Sequence, residues 1–160
     1  MNLYIKQKVF SFSDKYNVFD EFGELVFEVK GEVFTLGAKL HIFDTRGVEL
    51  MSIHRELFAF PPRYTIYENG VDRARVTQKF TWFKSRFEIS DRQGMFNLDG
   101  DFLSRNYSIT TPNGNLLGTI EKEWLTWGDT YKLTVSDPSH AAFFCALVIA
   151  IDECLYNDRD

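Results

Sequence analysis

The sequence predicts an all-β domain with one helix: a barrel of about twelve antiparallel strands that encloses a hydrophobic C-terminal helix. Three observations predict it. The 160 residues include 16 Phe, 7 Tyr and 3 Trp, and aromatic side chains favour the pleated surface of a sheet. Turn motifs recur along the chain at nearly constant spacing. The C-terminal segment 141–151 is apolar on every side. The length is that of a single domain.

The turns predict a meander of hairpins. Asp, Asn or Glu close before Gly, between two alternating apolar runs, is typical of short hairpin loops, in which Gly adopts a positive φ. The turn glycines are residues 23, 47, 70, 94 and 114. Five hairpins correspond to about ten strands, and segments 34–36 and 131–135 are predicted to add two more. One hairpin per repeat is too little for a propeller blade, so a closed or nearly closed barrel is favoured.

The C-terminus is predicted to form a helix over residues 138–156, after strands within 3–136. Asp137 is the expected N-cap and Pro138 the first helical residue. A helix that is apolar all round must be buried. The eleven residues 141–151 are too few for a bilayer, which needs about 20, so the chain is not expected to be transmembrane and the helix must fill the barrel.

Several segments then resemble the LURP-one-related family in its small bacterial form. The resemblance runs from about residue 3 to 156 and is strongest in the first forty residues. It implies the tubby C-terminal-like fold, which phospholipid scramblases share. The bacterial members have no assigned activity, and phosphoinositide binding by tubby domains transfers only by analogy. The segments are 4–8 (YIKQK), 20–23 (DEFG), 27–31 (FEVKG), 37–44 (GAKLHIFD) and 122–131 (KEWLTWGDTY).

Cysteine usage and the N-terminus predict a cytoplasmic protein, with peripheral contact to a membrane as an option. Cys145 and Cys154 would lie roughly 13 Å apart along a helix, too far for a disulfide. Free buried thiols fit a reducing compartment. The N-terminus lacks the apolar run of a signal peptide. The net charge of −5 argues against nucleic-acid binding.

No catalytic or metal-binding motif is present, so we expect no enzyme activity, no cofactor and no metal. The three histidines, His41, His54 and His140, form no HxH or HExxH motif, and His41 and His54 do not lie obviously opposite each other. Cys145 lies among apolar residues, where burial makes a thiol inert. A site assembled from distant strands would escape this reasoning.

The local charge anomaly is a basic strip in segment 73–87, which contains five cations and no acid. Alternation places Arg73, Arg75 and Lys79 on one face of a strand, and Trp82 lies beside Lys84 and Arg86. Cations next to an aromatic residue are typical of surfaces that bind anionic phospholipid or another phosphorylated ligand. A solvated strand face explains the same pattern. The predicted ligand-binding residues are Arg73, Arg75, Lys79, Trp82, Lys84 and Arg86.

A second hypothesis is a scaffold that binds a protein partner, or itself, through a sheet edge or an aromatic loop. The candidate loop is 58–62 (FAFPP), because two prolines cannot lie in a central strand. Trp124 and Trp127 are expected to cover the barrel mouth and pack against the helix.

Overall fold

The computed structural model describes residues 1–8, 11, 13–80, 85–92, 96–101, 106–123 and 130–156. It contains twelve strands, one 3₁₀ helix and one α-helix, which confirms the predicted fold class. The helical elements are η1 (Pro138–His140) and α1 (Ala141–Tyr156). The strands are β1 (Asn2–Gln7), β2 (Asp14–Asp20), β3 (Leu25–Gly31), β4 (Lys39–Asp44), β5 (Glu49–Arg55), β6 (Arg63–Glu68), β7 (Val71–Phe80), β8 (Ser85–Asp91), β9 (Asn97–Asp101), β10 (Asn106–Thr110), β11 (Leu116–Glu123) and β12 (Thr130–Val135).

The strands form one antiparallel sheet that curls into a nearly closed barrel. Its order is β8-β7-β6-β5-β4-β3-β2-β1-β12-β11-β10-β9. The first and last strands therefore pair with each other, and the seam of the barrel lies between β8 and β9. Along the strands buried and partly exposed residues alternate, as in β1, where Leu3 and Ile5 face inward.

Because the strands run up and down, the two ends of the barrel differ. The turn end holds the tight connections after β2, β4, β6 and β10, where Gly23, Gly47, Gly70 and Gly114 adopt φ between +74° and +84° as predicted. Gly94 lies outside the described residues. The loop end holds the longer connections β3–β4 (residues 32–38) and β5–β6 (residues 56–62).

The prediction of a strand at 34–36 is wrong. This segment belongs to the β3–β4 loop, and Phe34 has a φ of +67°, which is outside the range of a strand. The twelfth strand of the sheet is β1 instead, which the turn glycines do not reveal because none lies next to it. The physical reason is that the apolar side chains of Phe34 and Leu36 predict burial, whereas both point into solvent.

Helix α1 fills the barrel as predicted. From Ala141 to Ile151 every residue except Ala142 is buried. The Asp137 side chain caps η1, which leads into α1, by accepting a hydrogen bond from the Ser139 amide at 2.9 Å. Cys145 and Cys154 are free and buried, and burial raises the pKa of the Cys145 thiol.

The apolar helical segment is longer than the eleven residues considered above. By length and composition Pro138–Leu155 is sufficient to cross a membrane, although 67% of that span is buried inside the protein. Core helices that are enclosed by a sheet have the same composition, because both environments exclude polar groups. In this structure the helix is the barrel's core, and its absence from the membrane stays a prediction.

Candidate binding site

The described cations of the predicted basic strip are matched by acids. Arg75 and Lys79 lie on the outer face of β7, as predicted. Arg75 Nε is 2.9 Å from Glu56 Oε1, and Lys79 Nζ is 2.9 Å from Glu88 Oε2. A second carboxylate, of Asp72, lies 3.7 Å from Arg75 Nη2. This part of the strip therefore presents little net positive charge.

The Arg73 side chain does not lie on the outer face of β7 with Arg75 and Lys79. This corrects the prediction that strict alternation places all three on one face. The pairing of β6 with β7 shifts between Ile66 and Tyr67, so Arg73 is an extra residue on β7, and such a bulge re-aims a side chain. The Arg73 guanidinium lies 5.0 Å from the ring centroid of Phe143 on α1. Its Nε is 3.7 Å from Asp91 Oδ1, and its side chain is only 14% exposed.

The other three predicted residues of the strip lie wholly or partly outside the described residues. Trp82 and Lys84 lie outside the described residues, and so do Trp124 and Trp127. Arg86 lies on β8 directly opposite Lys79, but its side chain lies outside the described part. The convergence of all six residues on one ligand stays a prediction.

A different surface stands out at the loop end, where apolar side chains point into solvent. Phe34 and Phe58 are fully exposed, each with a relative accessibility of 103%, while Phe60 and Leu36 are 88% and 85% exposed. We call this the loop surface. It consists of Val33, Phe34, Leu36, Leu57, Phe58 and Phe60. Soluble monomers rarely expose such a cluster unless it binds something.

The two loops of this surface are neighbours. The Arg55 amide donates a 2.9 Å hydrogen bond to the Ala38 carbonyl, which joins the base of one loop to the base of the other. Gly37 packs so closely on Leu57 that a Cβ at residue 37 would approach the Leu57 Cδ2 atom to 2.9 Å. The exposed aromatic tips are thus held by a packed base and form one surface.

Charge is distributed unevenly between the two barrel ends along β1–β6. At the loop end basic residues outnumber acidic ones, and at the turn end the reverse holds. The charged residues within two positions of the strand ends, or in the connections, are Lys6, Lys8, Lys15, Lys30, Lys39, Arg55 and Arg63 with Asp14, Glu32 and Glu56 at the loop end. At the turn end they are Asp20, Glu21, Glu24, Asp44, Glu49 and Glu68 with Arg46.

The outer face of β4 and β5 brings two histidines together diagonally, with ring centroids 6.1 Å apart. His41 contacts a carboxylate through each nitrogen: Nε2 lies 2.9 Å from Glu32 Oε1 and Nδ1 lies 3.2 Å from Glu49 Oε2. The hydrogen bond from His41 lowers the pKa of Glu32, and burial lowers the pKa of His54. Among the described residues, no three potential ligands form a group that could hold a metal.

Comparisons with known proteins support the fold described above. The model of the LURP-one-related family matches residues 1–152. The chain belongs to the LURP-one-related family. It is similar to "Uncharacterized protein YxjI" of Bacillus subtilis (strain 168), with 35% identity over all of this chain and 97% of that protein. An X-ray structure of a protein from Arabidopsis thaliana has a TM-score of 0.64 at 16% identity, covering 94% of this chain and 89% of that one, and shows the same fold.

The backbone of the loop surface in this LURP-one-related protein carries a strain that its core does not require. Phe34 and Phe58 have φ of +67° and +61°, a left-handed conformation that costs an L-residue about 1–2 kcal/mol. Both side chains are fully exposed and so gain nothing from packing within the protein. Strained residues of this kind tend to cluster at binding sites.

Replacing Phe34 or Phe58 by glycine is therefore expected to leave the free energy of unfolding unchanged or to raise it by up to about 1 kcal/mol. Glycine adopts a positive φ freely, although its greater freedom in the unfolded chain offsets part of the gain. Urea unfolding measures the effect, with Phe34→Asn as a comparison because Asn also tolerates this conformation. A loss of more than about 1 kcal/mol in both glycine variants would show that the two rings stabilise the fold.

Proposed function

We propose that the protein is a non-catalytic binding module that docks on an anionic lipid bilayer through its loop surface. The observation that carries the proposal is the pair of fully exposed Phe34 and Phe58 rings on adjacent loops, above strand ends with surplus positive charge. The family and the relatives give no sign of catalysis. A cytoplasmic location at the membrane periphery forms part of the proposal.

The physical basis is the combination of apolar insertion and charge attraction. Fully burying a Phe side chain contributes about 1.5–3 kcal/mol, and aromatic residues favour the bilayer interface. Each Lys or Arg near an anionic surface adds about 1 kcal/mol. The acidic turn end would face away from such a surface, so the charge distribution orients the barrel with its loop end toward the lipid.

This proposal keeps the anionic-lipid hypothesis but places it on a different surface from the basic strip. Arg73, Arg75 and Lys79 lie near five carboxylates, those of Glu56, Glu68, Asp72, Glu88 and Asp91. A surface of that composition attracts an anion weakly. The loop surface combines a charge surplus with exposed apolar area, which the described part of the strip lacks.

The test is sedimentation with vesicles of phosphatidylcholine alone and of phosphatidylcholine mixed with phosphatidylglycerol. We expect binding to the mixed vesicles, weakened by salt. The double substitution Phe34→Ser plus Phe58→Ser should weaken binding by about 3–6 kcal/mol, which is about a hundredfold or more. The matched control is Phe22→Ser, since Phe22 is 82% exposed but lies in a turn at the opposite end.

Charge variants separate the two candidate surfaces. Lys15→Glu plus Lys30→Glu should weaken binding more than Arg75→Glu plus Lys79→Glu. Equal binding to neutral and anionic vesicles, or binding that survives the double Phe substitution, contradicts the proposal. Absence of vesicle binding together with self-association that the Phe substitutions abolish would indicate a protein partner on the same loops.

A further inference from the structure

Four side chains form a hydrogen-bonded chain inside the barrel, beneath the loop end. Asp152 and Glu153 lie near the C-terminal end of α1, Tyr16 on β2 and Tyr131 on β12. Tyr16 Oη is 2.8 Å from Asp152 Oδ2 and 3.1 Å from Glu153 Oε1. Tyr131 Oη is 2.5 Å from Asp152 Oδ1. Tyr16, Tyr131 and Asp152 are at most 4% exposed.

The number of protons that these four side chains carry determines which of them are charged. A phenol has one proton, so Tyr16 can donate a full hydrogen bond to only one of the two carboxyl groups that it contacts. Its contact with Asp152 is the shorter, and Tyr131 donates a second hydrogen bond to the other Asp152 oxygen. These contacts are satisfied when Asp152 is a carboxylate that accepts from both phenols. The contact between Glu153 and Tyr16 is then satisfied when Glu153 carries a proton and donates it to the Tyr16 oxygen.

The surroundings of Glu153 agree with this assignment. Burial raises its pKa, and the neighbouring charge of Asp152 adds to the effect. Glu153 also lies in the last turn of α1, where the helix dipole disfavours a negative charge. The hydrogen bond with Tyr16 and the charges of Lys15 and Arg55 oppose this shift and lower the pKa of Glu153. On β6, Tyr64 Oη lies 3.5 Å from the Glu153 carbonyl oxygen.

We infer that Glu153 carries a proton at neutral pH and that the chain Glu153–Tyr16–Asp152–Tyr131 is a pH-sensitive latch that fastens the end of α1 to β2 and β12. Loss of that proton leaves two negative carboxylates sharing one phenol, so the latch loosens. An acid whose pKa is raised on folding stabilises the protein below its unfolded pKa and loses that contribution as the pH rises through its folded pKa. The inference does not depend on membrane docking.

Infrared spectroscopy of the whole protein tests the assignment directly. At neutral pH we expect the carbonyl stretch of a protonated carboxylic acid, absent in Glu153→Gln and present in Asp152→Asn. Glutamine retains a donor for Tyr16, so this variant should fold. Absence of the band in wild type, its persistence in Glu153→Gln, or its loss in Asp152→Asn alone overturns the inference.

Thermal unfolding across pH tests the latch. From mildly acidic to mildly alkaline pH we expect the Tm of wild type to fall relative to that of Glu153→Gln, in which the other titrating groups, such as His54, are unchanged. Glu121→Gln is the matched control, because Glu121 is exposed on β11, and it should follow wild type. The same pH dependence in wild type and Glu153→Gln would overturn the latch, and so would a Tyr16→Phe variant that retains the full wild-type dependence.

Discussion

Replacing Phe144 by alanine is expected to lower the free energy of unfolding by about 3–5 kcal/mol, because the substitution opens a cavity in the core of the barrel, where helix α1 packs. Phe144 is fully buried. Its ring centroid lies 5.5 Å from that of Phe96 and 5.4 Å from that of His140, which stacks on it. Unfolding in urea, followed by circular dichroism, measures the loss.

The control for this prediction is Phe22→Ala, which removes the same side chain from an exposed turn. Phe22 is 82% exposed, so its removal should change the free energy of unfolding by no more than about 0.5 kcal/mol. A loss below about 1 kcal/mol in Phe144→Ala would mean that the helix does not pack inside the barrel.

Replacing Asp152 by alanine is expected to lower the free energy of unfolding by about 2–6 kcal/mol. The change removes the acceptor that the buried hydroxyls of Tyr16 and Tyr131 share, and each hydrogen bond lost costs about 1–3 kcal/mol. Asp152→Asn keeps one acceptor oxygen and should cost less. The free energy of unfolding of both variants, measured in urea at one pH, gives the comparison.

A surface aspartate provides the reference. Asp72 lies on β7, and its contacts with Arg75 and Arg92 are 3.7 and 4.0 Å long; because such pairs contribute about 1 kcal/mol or less, Asp72→Ala should have a small effect. If Asp152→Ala were as mild, the two tyrosines would have found other partners, and the polar chain would contribute little to stability.

The sequence predicts only part of the candidate site. The loop 58–62 was identified from its two prolines, because that signal is local. For Phe34 the sequence predicts a strand, because the apolar side chains of Phe34 and Leu36 do not reveal in the sequence that they are exposed. The carboxylates near Arg75 and Lys79 belong to Glu56 in the β5–β6 loop and to Asp72 and Glu88, which directly flank segment 73–87. A segment without an acid of its own is thus matched by acids that the fold brings beside it.

The sequence by itself determined the meander of hairpins, the glycines of the described turns, the start of the helical segment after Asp137 and its burial. These features depend on short-range turn chemistry and on periodicity, which neighbouring residues encode. Only the tertiary structure decided where charges meet, that the bulge turns Arg73 toward Phe143, and that Tyr16 and Tyr131 converge on Asp152. Those contacts join residues as far apart as 136 positions. They depend on sheet register and barrel closure, which local patterns do not specify.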